Sequence, residues 1–133
     1  MAIVGVIGLG QMGLGMAETL LREGFEVVGF DLDPARREMA AALGATNADS
    51  IAALCAATDQ VVLSLPEAQH VDAVVTGPGG IMESNCAGML VMDATTSEPE
   101  MSRHLAGVMA EAGHGFLDTP VSGGPSGLSL IHI

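Results

Sequence analysis

The sequence predicts an α/β chain, built as a doubly wound, mostly parallel sheet with helices on both faces. Three observations lead there. Short, largely apolar runs (Ile3 to Ile7, Glu26 to Phe30, Gln60 to Leu65, Met89 to Asp93 and Phe116 to Asp118) alternate with segments whose apolar residues recur every three or four positions. Runs that are apolar at nearly every position suit strands buried on both faces, and such parallel strands need helical crossovers between them. The first run also ends in glycines spaced G-x-G-x-x-G, at Gly8, Gly10 and Gly13, where a helical pattern sets in.

Each element has a local cause. After the glycines, Met12, Met16 and Leu20 fall four apart with Ala17 and Leu21 beside them, a face that can cover a sheet, and Gly24 supplies the stop. Asp33 before Pro34 reads as an N-cap followed by proline at the first helical position. The helix it opens, from about Ala35 to Leu43, is expected to turn Met39 and Leu43 to one face and to end at Gly44. A short strand near Ala45 to Asn47 follows, and then a helix through Cys55 capped by Asp49 or Ser50. Val71, Val74 and Val75 mark a helix after Pro66, and Gly77 to Gly80 a loop. The last helix is expected from about Pro99 to Ala112, with Met101, Leu105, Val108 and Met109 on one side and Gly113 and Gly115 as breakers.

The glycine spacing carries a chemistry. Gly8 permits a sharp turn off the strand, Gly10 lets backbone approach a pyrophosphate, and Gly13 lets helix and strand pack closely. The unpaired N–H groups of a helix start and the positive end of its dipole then attract phosphate. The second strand ends at Asp31, about 20 residues past the glycines, where a Rossmann-type dinucleotide fold places its ribose carboxylate. Because Asp33 is spoken for as a cap, Asp31 is left to accept hydrogen bonds from a ribose 2'-hydroxyl and to repel a 2'-phosphate. NAD is therefore expected ahead of NADP, although Arg36 and Arg37 follow closely enough to meet a phosphate.

Composition bounds the rest. A chain of 133 residues fits one domain, and with no Trp or Tyr and three Phe its core must be aliphatic and rich in methionine. Sixteen acidic side chains against four basic ones give a formal charge of −12, which argues against nucleic acid or an anionic membrane as partner. All four basic residues are arginines, so the chain contains no lysine. Cys55 and Cys86 form no C-x-x-C pair, and His70, His104, His114 and His132 show no ligand spacing, so no metal site is expected. Without a secretory signal or a membrane-length apolar run, a reducing, cytoplasmic setting is the expectation.

In a doubly wound sheet ligands gather beyond the carboxyl ends of the strands. Gly8, Asp31, Leu65 and Pro66, Thr95 and Thr96, and Ser122 to Gly124 all lie just past strand ends and should converge. Strand termination and helix capping account equally well for Leu65, Pro66, Thr95 and Thr96.

Several motifs taken together resemble the β-hydroxyacid dehydrogenases. They are Gly8-Leu9-Gly10-Gln11-Met12-Gly13, Leu65-Pro66, Asp93 with Thr95-Thr96 and Pro99, and Gly113 through Asp118-Thr119-Pro120-Val121-Ser122-Gly123-Gly124. The resemblance implies that Gly8, Leu9, Gly10, Gln11, Met12 and Gly13 hold the pyrophosphate, Asp31 the adenosine ribose, and Leu65, Pro66 and Thr96 the nicotinamide side. It implies that Ser122, Gly123 and Gly124 grip the carboxylate of a small substrate, with their hydroxyl and amide donors. Thr95 stands where serine is usual, and Thr119 and Leu128 where alanine is usual. The family's catalytic lysine, carried on a helix leading to an all-helical second domain, has no counterpart here.

These readings divide the chain into an NAD-binding Rossmann-type domain, residues 1–127, and a tail outside the family pattern, residues 128–133, as in a truncated gene. The expected function is that of the cofactor-binding half of an NAD-dependent oxidoreductase, homo-oligomeric when complete and inactive as this fragment alone. Two alternatives stand beside it: a non-catalytic NAD-sensing module, and a same-family reductase of imines or small semialdehydes.

Overall fold

The computed structural model describes residues 3–84, 88–95 and 99–118. Strands and helices alternate throughout: β1 (Ile3–Ile7), α1 (Gln11–Arg22), β2 (Glu26–Phe30), α2 (Pro34–Leu43), β3 (Thr46–Asn47), α3 (Ile51–Ala57), β4 (Gln60–Leu63), α4 (Ala68–Thr76), β5 (Leu90–Asp93), α5 (Pro99–Glu111) and β6 (Gly115–Asp118). The strands form one six-stranded sheet in the order β3-β2-β1-β4-β5-β6, with every pairing parallel. The chain thus starts mid-sheet, winds outward to β3, and crosses through α3 to β4 on the other flank of β1. That reversal puts the topological switch point at the carboxyl ends of β1 and β4.

Two aliphatic cores sandwich the sheet. On one face Met16, Ala17 and Leu20 of α1 and Ala40 of α2 pack on Val4, Val6, Val27 and Val62. On the other, Leu54, Val71, Val75, Leu105 and Met109 from α3, α4 and α5 cover Ile7, Val61, Leu63 and Val91. Both faces of β1 and β4 are therefore dry, as their uninterrupted apolar sequences require.

The helix ends follow the sequence signals. Asp33 caps α2, its carboxylate accepting the Ala35 N–H at 2.9 Å, with Pro34 in the first turn. Ser50 caps α3 through the Ala53 N–H at 3.1 Å. Gly44 and Gly113 close α2 and α5 in the left-handed region, at φ 111 and 85°.

Three details go beyond the expectations. The face of α2 that carries Met39 and Leu43 is turned outward; they are 51% and 39% exposed, and Ala40 is the α2 residue that is buried. A helix turns about 100° per residue, so seating Ala40 against the sheet leaves Met39 at the rim. The glycine loop after α4 runs on into a 3-10 turn, Ile81–Glu83, that drives Ile81 completely into the core. Gly115 does not break structure but opens β6, lying so close to β5 that a Cβ there would sit 3.1 Å from Leu90 Cδ1.

On the α1 side, no helix among the described residues covers β5 and β6. Met92 is half-buried there and its register partner Leu117 is 51% exposed.

His114 joins β5 to the end of α5. Its buried ring accepts the Met89 N–H at Nδ1, 3.0 Å away, while the His114 backbone N–H donates to Met109 O at 2.8 Å. Replacing it with leucine leaves a buried amide without its acceptor, so His114→Leu is expected to cost about 1–3 kcal/mol in urea denaturation. A loss below about 0.5 kcal/mol would show that the Met89 amide finds another partner.

Candidate cofactor site

The turn after β1 is fixed from both flanks. Gly8 donates to Phe30 O of β2 at 3.0 Å, and Ser64, just past β4, donates to Ile7 O at 3.0 Å. Gly8 has φ 94° and lies against Ser64; a side chain at this position would run into the Ser64 carbonyl oxygen. Gly13, inside α1, presses on the Gly8 carbonyl oxygen, again with no room for a Cβ. Turn conformation and helix-on-turn packing therefore exclude side chains at Gly8 and Gly13 within the protein itself.

Gly10 is different. Its φ of −69° suits any residue, and a Cβ there would meet nothing within 4 Å. What its missing side chain leaves is open space over the start of α1, where Gly10 is the N-cap and makes no side-chain capping bond. The first-turn N–H groups at Gln11, Met12 and Gly13 have no intrahelical acceptors. A pyrophosphate fits that space chemically: it is an anion, and amide donors with the positive end of the helix dipole face it.

Asp31 closes the adjoining wall. Its Oδ2 accepts the Leu9 N–H at 2.7 Å and its Oδ1 accepts the Asp33 N–H at 2.9 Å. Each oxygen keeps a further lone pair for a hydroxyl donor. Between this carboxylate, the glycine turn and the β4 exit lies a cavity of about 520 Å³, lined by Gly8, Gly10, Gln11, Met12, Asp31, Leu32, Ser64, Leu65 and Pro66. That volume is in the usual range of small-molecule and cofactor sites.

The structure therefore brings Gly8, Gly10, Gln11, Met12, Asp31, Leu65 and Pro66 to one cavity. Leu9 and Gly13 belong to the turn but not to the cavity wall: the Leu9 side chain is fully buried in the core and its amide is held by Asp31. Thr96, Ser122, Gly123 and Gly124 lie outside the described residues. Arg36 faces elsewhere, lining a separate groove with Gln11, Leu14, Gly15, Glu18 and Met39.

Sequence reasoning missed Leu32, His70, Ala73 and Val74, which also line the cavity. The α4 residues had a faint signal. Helix α4 starts two residues after Pro66, so its first turns overhang the site and positions 70, 73 and 74 fall on one face. Leu32 is 88% exposed beside Asp31, an apolar side chain at the mouth of a polar turn.

The chain matches the family model for the NAD binding domain of 6-phosphogluconate dehydrogenase over residues 3–129. It belongs to that family of NAD-binding domains. Among curated relatives, 2-(hydroxymethyl)glutarate dehydrogenase of Eubacterium barkeri is 40% identical over 124 residues, 93% of this chain and 41% of that protein. The solved structure of Mycobacterium tuberculosis 3-hydroxyisobutyrate dehydrogenase with L-serine superposes with a TM-score of 0.90 at 30% identity, covering 97% of this chain and 43% of that one. A Streptomyces aurantiacus imine reductase gives a TM-score of 0.83 at 31% identity, over 93% of this chain and 42% of its own. The chain thus spans about two fifths of the length of the relatives it matches. The resemblance to hydroxyacid dehydrogenases stands, as do the Rossmann-type fold and NAD as cofactor. Among the described residues of this NAD-binding domain, no helix is long and apolar enough to cross a membrane.

The three glycines give a separable prediction. Gly10→Ala is expected to cost at most about 1 kcal/mol of stability, the difference between glycine and alanine at an N-cap, yet to weaken NAD binding at least tenfold by filling the open space. Gly13→Ala, which clashes with backbone, is expected to lower the melting temperature outright. Calorimetry and thermal melts of the two variants check this, and unchanged NAD affinity in Gly10→Ala would move the pyrophosphate elsewhere.

Proposed function

We propose that this domain binds NAD with its pyrophosphate over Gly8 to Gly13, its adenosine ribose on Asp31 and its nicotinamide toward Leu65, Pro66 and Thr96. We further infer that it is the cofactor half of an oxidoreductase moving hydride between NAD and a small β-hydroxy acid. Its division into residues 1–127 and a tail at 128–133 belongs to the same proposal, as do a cytoplasmic location and a homo-oligomeric whole protein.

One observation carries the cofactor reading: the Asp31 carboxylate is locked by the Leu9 and Asp33 amides at the wall of the cavity that the glycine turn opens. An orienting bond to each oxygen presents the remaining lone pairs to a ribose diol at little entropic cost. The same negative group repels a 2'-phosphate, and neither nearby cation, Arg36 or Arg37, is on the cavity wall, Arg36 lining the adjoining groove that shares Gln11. Both points favour NAD over NADP.

Bound NAD supplies the hydride acceptor. The described residues orient it: Gly8, Gly10 and the start of α1 bind the diphosphate, and Leu65 and Pro66 wall the far side. By the family resemblance, Ser122, Gly123 and Gly124 hold the substrate carboxylate. A lysine proton relay, which the resemblance also implies, is not available from these 133 residues, because none is lysine. The chain by itself is therefore expected to bind cofactor and turn over little. The likeness to an imine reductase at 31% identity favours a second reading, with an imine in place of the hydroxy acid.

Calorimetric titration with NAD and NADP, on the parent and on Asp31→Ala, tests the cofactor reading. The parent is expected to favour NAD, and Asp31→Ala to lose about 1.5–3 kcal/mol of NAD affinity, about the worth of hydrogen bonds to a charged group, while the preference over NADP collapses. Equal affinity of the parent for both cofactors would falsify the ribose assignment. Enzyme-like oxidation of 3-hydroxyisobutyrate by the chain alone would contradict the inactivity.

A further inference from the structure

Parallel pairing between β4 and β5 ends where Ala94 donates to Leu63 O at 2.9 Å. Three residues on, the chain leaving β4 reaches Pro66, which has no N–H, so the amide of Leu65 is the last donor before the loop. That amide donates to the Thr95 hydroxyl, at 2.9 Å. Thr95 is 3% exposed and is itself held, its N–H donating to Oδ1 of the fully buried Asp93 at 2.9 Å. A side-chain oxygen thus extends the β4–β5 ladder by one step, beyond the strands and at the edge of the cavity.

The residue so held is not a bystander. Leu65 lines the cavity, and its Cδ2 lies 3.0 Å from where a Gly8 Cβ would be. Moving the Leu65 backbone would shift the wall opposite Asp31 and change its spacing from the glycine turn. Threonine is suited to the task because its β-branch restricts χ1, fixing the hydroxyl as well as supplying it.

We propose that Thr95 is a positioning residue for the nicotinamide side of the cofactor, acting through Leu65 and Pro66. The inference rests on the cofactor reading above and deepens it. It separates the two ends of the ligand: the adenosine end depends on Asp31, and the nicotinamide end depends on the Asp93–Thr95–Leu65 chain of hydrogen bonds.

The test compares NAD with ADP-ribose, which lacks the nicotinamide, by calorimetry on the parent, Thr95→Val and Thr95→Ser. Valine keeps the shape of threonine and removes the acceptor; serine keeps the acceptor. Thr95→Val is expected to weaken NAD about tenfold, the scale of one lost hydrogen bond, while ADP-ribose changes less than about twofold. Thr95→Ser is expected to restore NAD binding to within about twofold of the parent. Unchanged NAD affinity in Thr95→Val overturns the proposal. So does an equal loss of both ligands, which would mark a general disturbance of the fold, and so does a serine variant as weak as the valine one. A parent that binds ADP-ribose and NAD equally well removes the nicotinamide contact, while a parent that binds neither removes the cofactor reading and this inference together.

Discussion

The bond from the Leu9 N–H to Asp31 Oδ2, 2.7 Å long and spanning 22 residues of sequence, is the constraint on which the site depends. It joins the turn that follows β1 to the carboxylate that follows β2. The turn backbone is already held by its bonds to Phe30 and Ser64, and this bond adds to the same unit a carboxylate that alone would sample several rotamers. Pairing them converts two loop ends into one rigid corner. The second bond, from Asp33, ties the same carboxylate to the cap of α2, so the corner is anchored to a helix as well as to the sheet.

The glycines complete that corner by three different physical routes. Gly8 is forced by a positive φ and by the Ser64 carbonyl behind it; Gly13 is forced by the Gly8 carbonyl beneath α1. Gly10 is forced by nothing among the described residues, and its open surroundings beside the cavity leave room for a ligand. The β4 exit belongs to the same assembly, because Ser64 packs on Gly8 and Leu65 is held by Thr95 across from it. Three strand ends, β1, β4 and β5, are in this way fixed relative to one another before any cofactor arrives, which is the preorganisation that limits the entropic cost of binding.

How much of this could be read from the sequence depends on how local each cause is. The strands were legible because burial on both faces leaves an apolar residue at almost every position, and the glycine turn was legible because backbone sterics allow few alternatives. Asp31 followed from its distance to the turn. The facing of α2 was not legible, since a short helix beside a two-residue edge strand buries a single alanine and its larger apolar residues carry no information about direction. His70, Ala73 and Val74 were not assigned to the site because helix α4 was recognised by its valines, Val74 among them, whereas its approach to the cavity is set by where the chain turns at Pro66. Thr95 was legible as a residue past a strand end and as a variant of serine, but not as a partner of Leu65. Its bond to Leu65 crosses 30 residues of sequence and leaves no pattern along the chain.

Charge presents an apparent conflict that the geometry resolves. A chain of formal charge −12 repels an anionic dinucleotide at long range, which slows encounter instead of steering it. At physiological ionic strength, however, exposed charges are screened beyond about 8 Å, whereas amides within hydrogen-bond reach act at full strength. In the proposed binding mode, the acidic surface sets the rate and salt dependence of approach, and the glycine turn sets the affinity. With the negative Asp31 at the ribose end and the donor-rich start of α1 at the diphosphate end, that mode turns the conflict into discrimination. A dinucleotide is attracted where its phosphates belong and opposed only where an extra phosphate would stand.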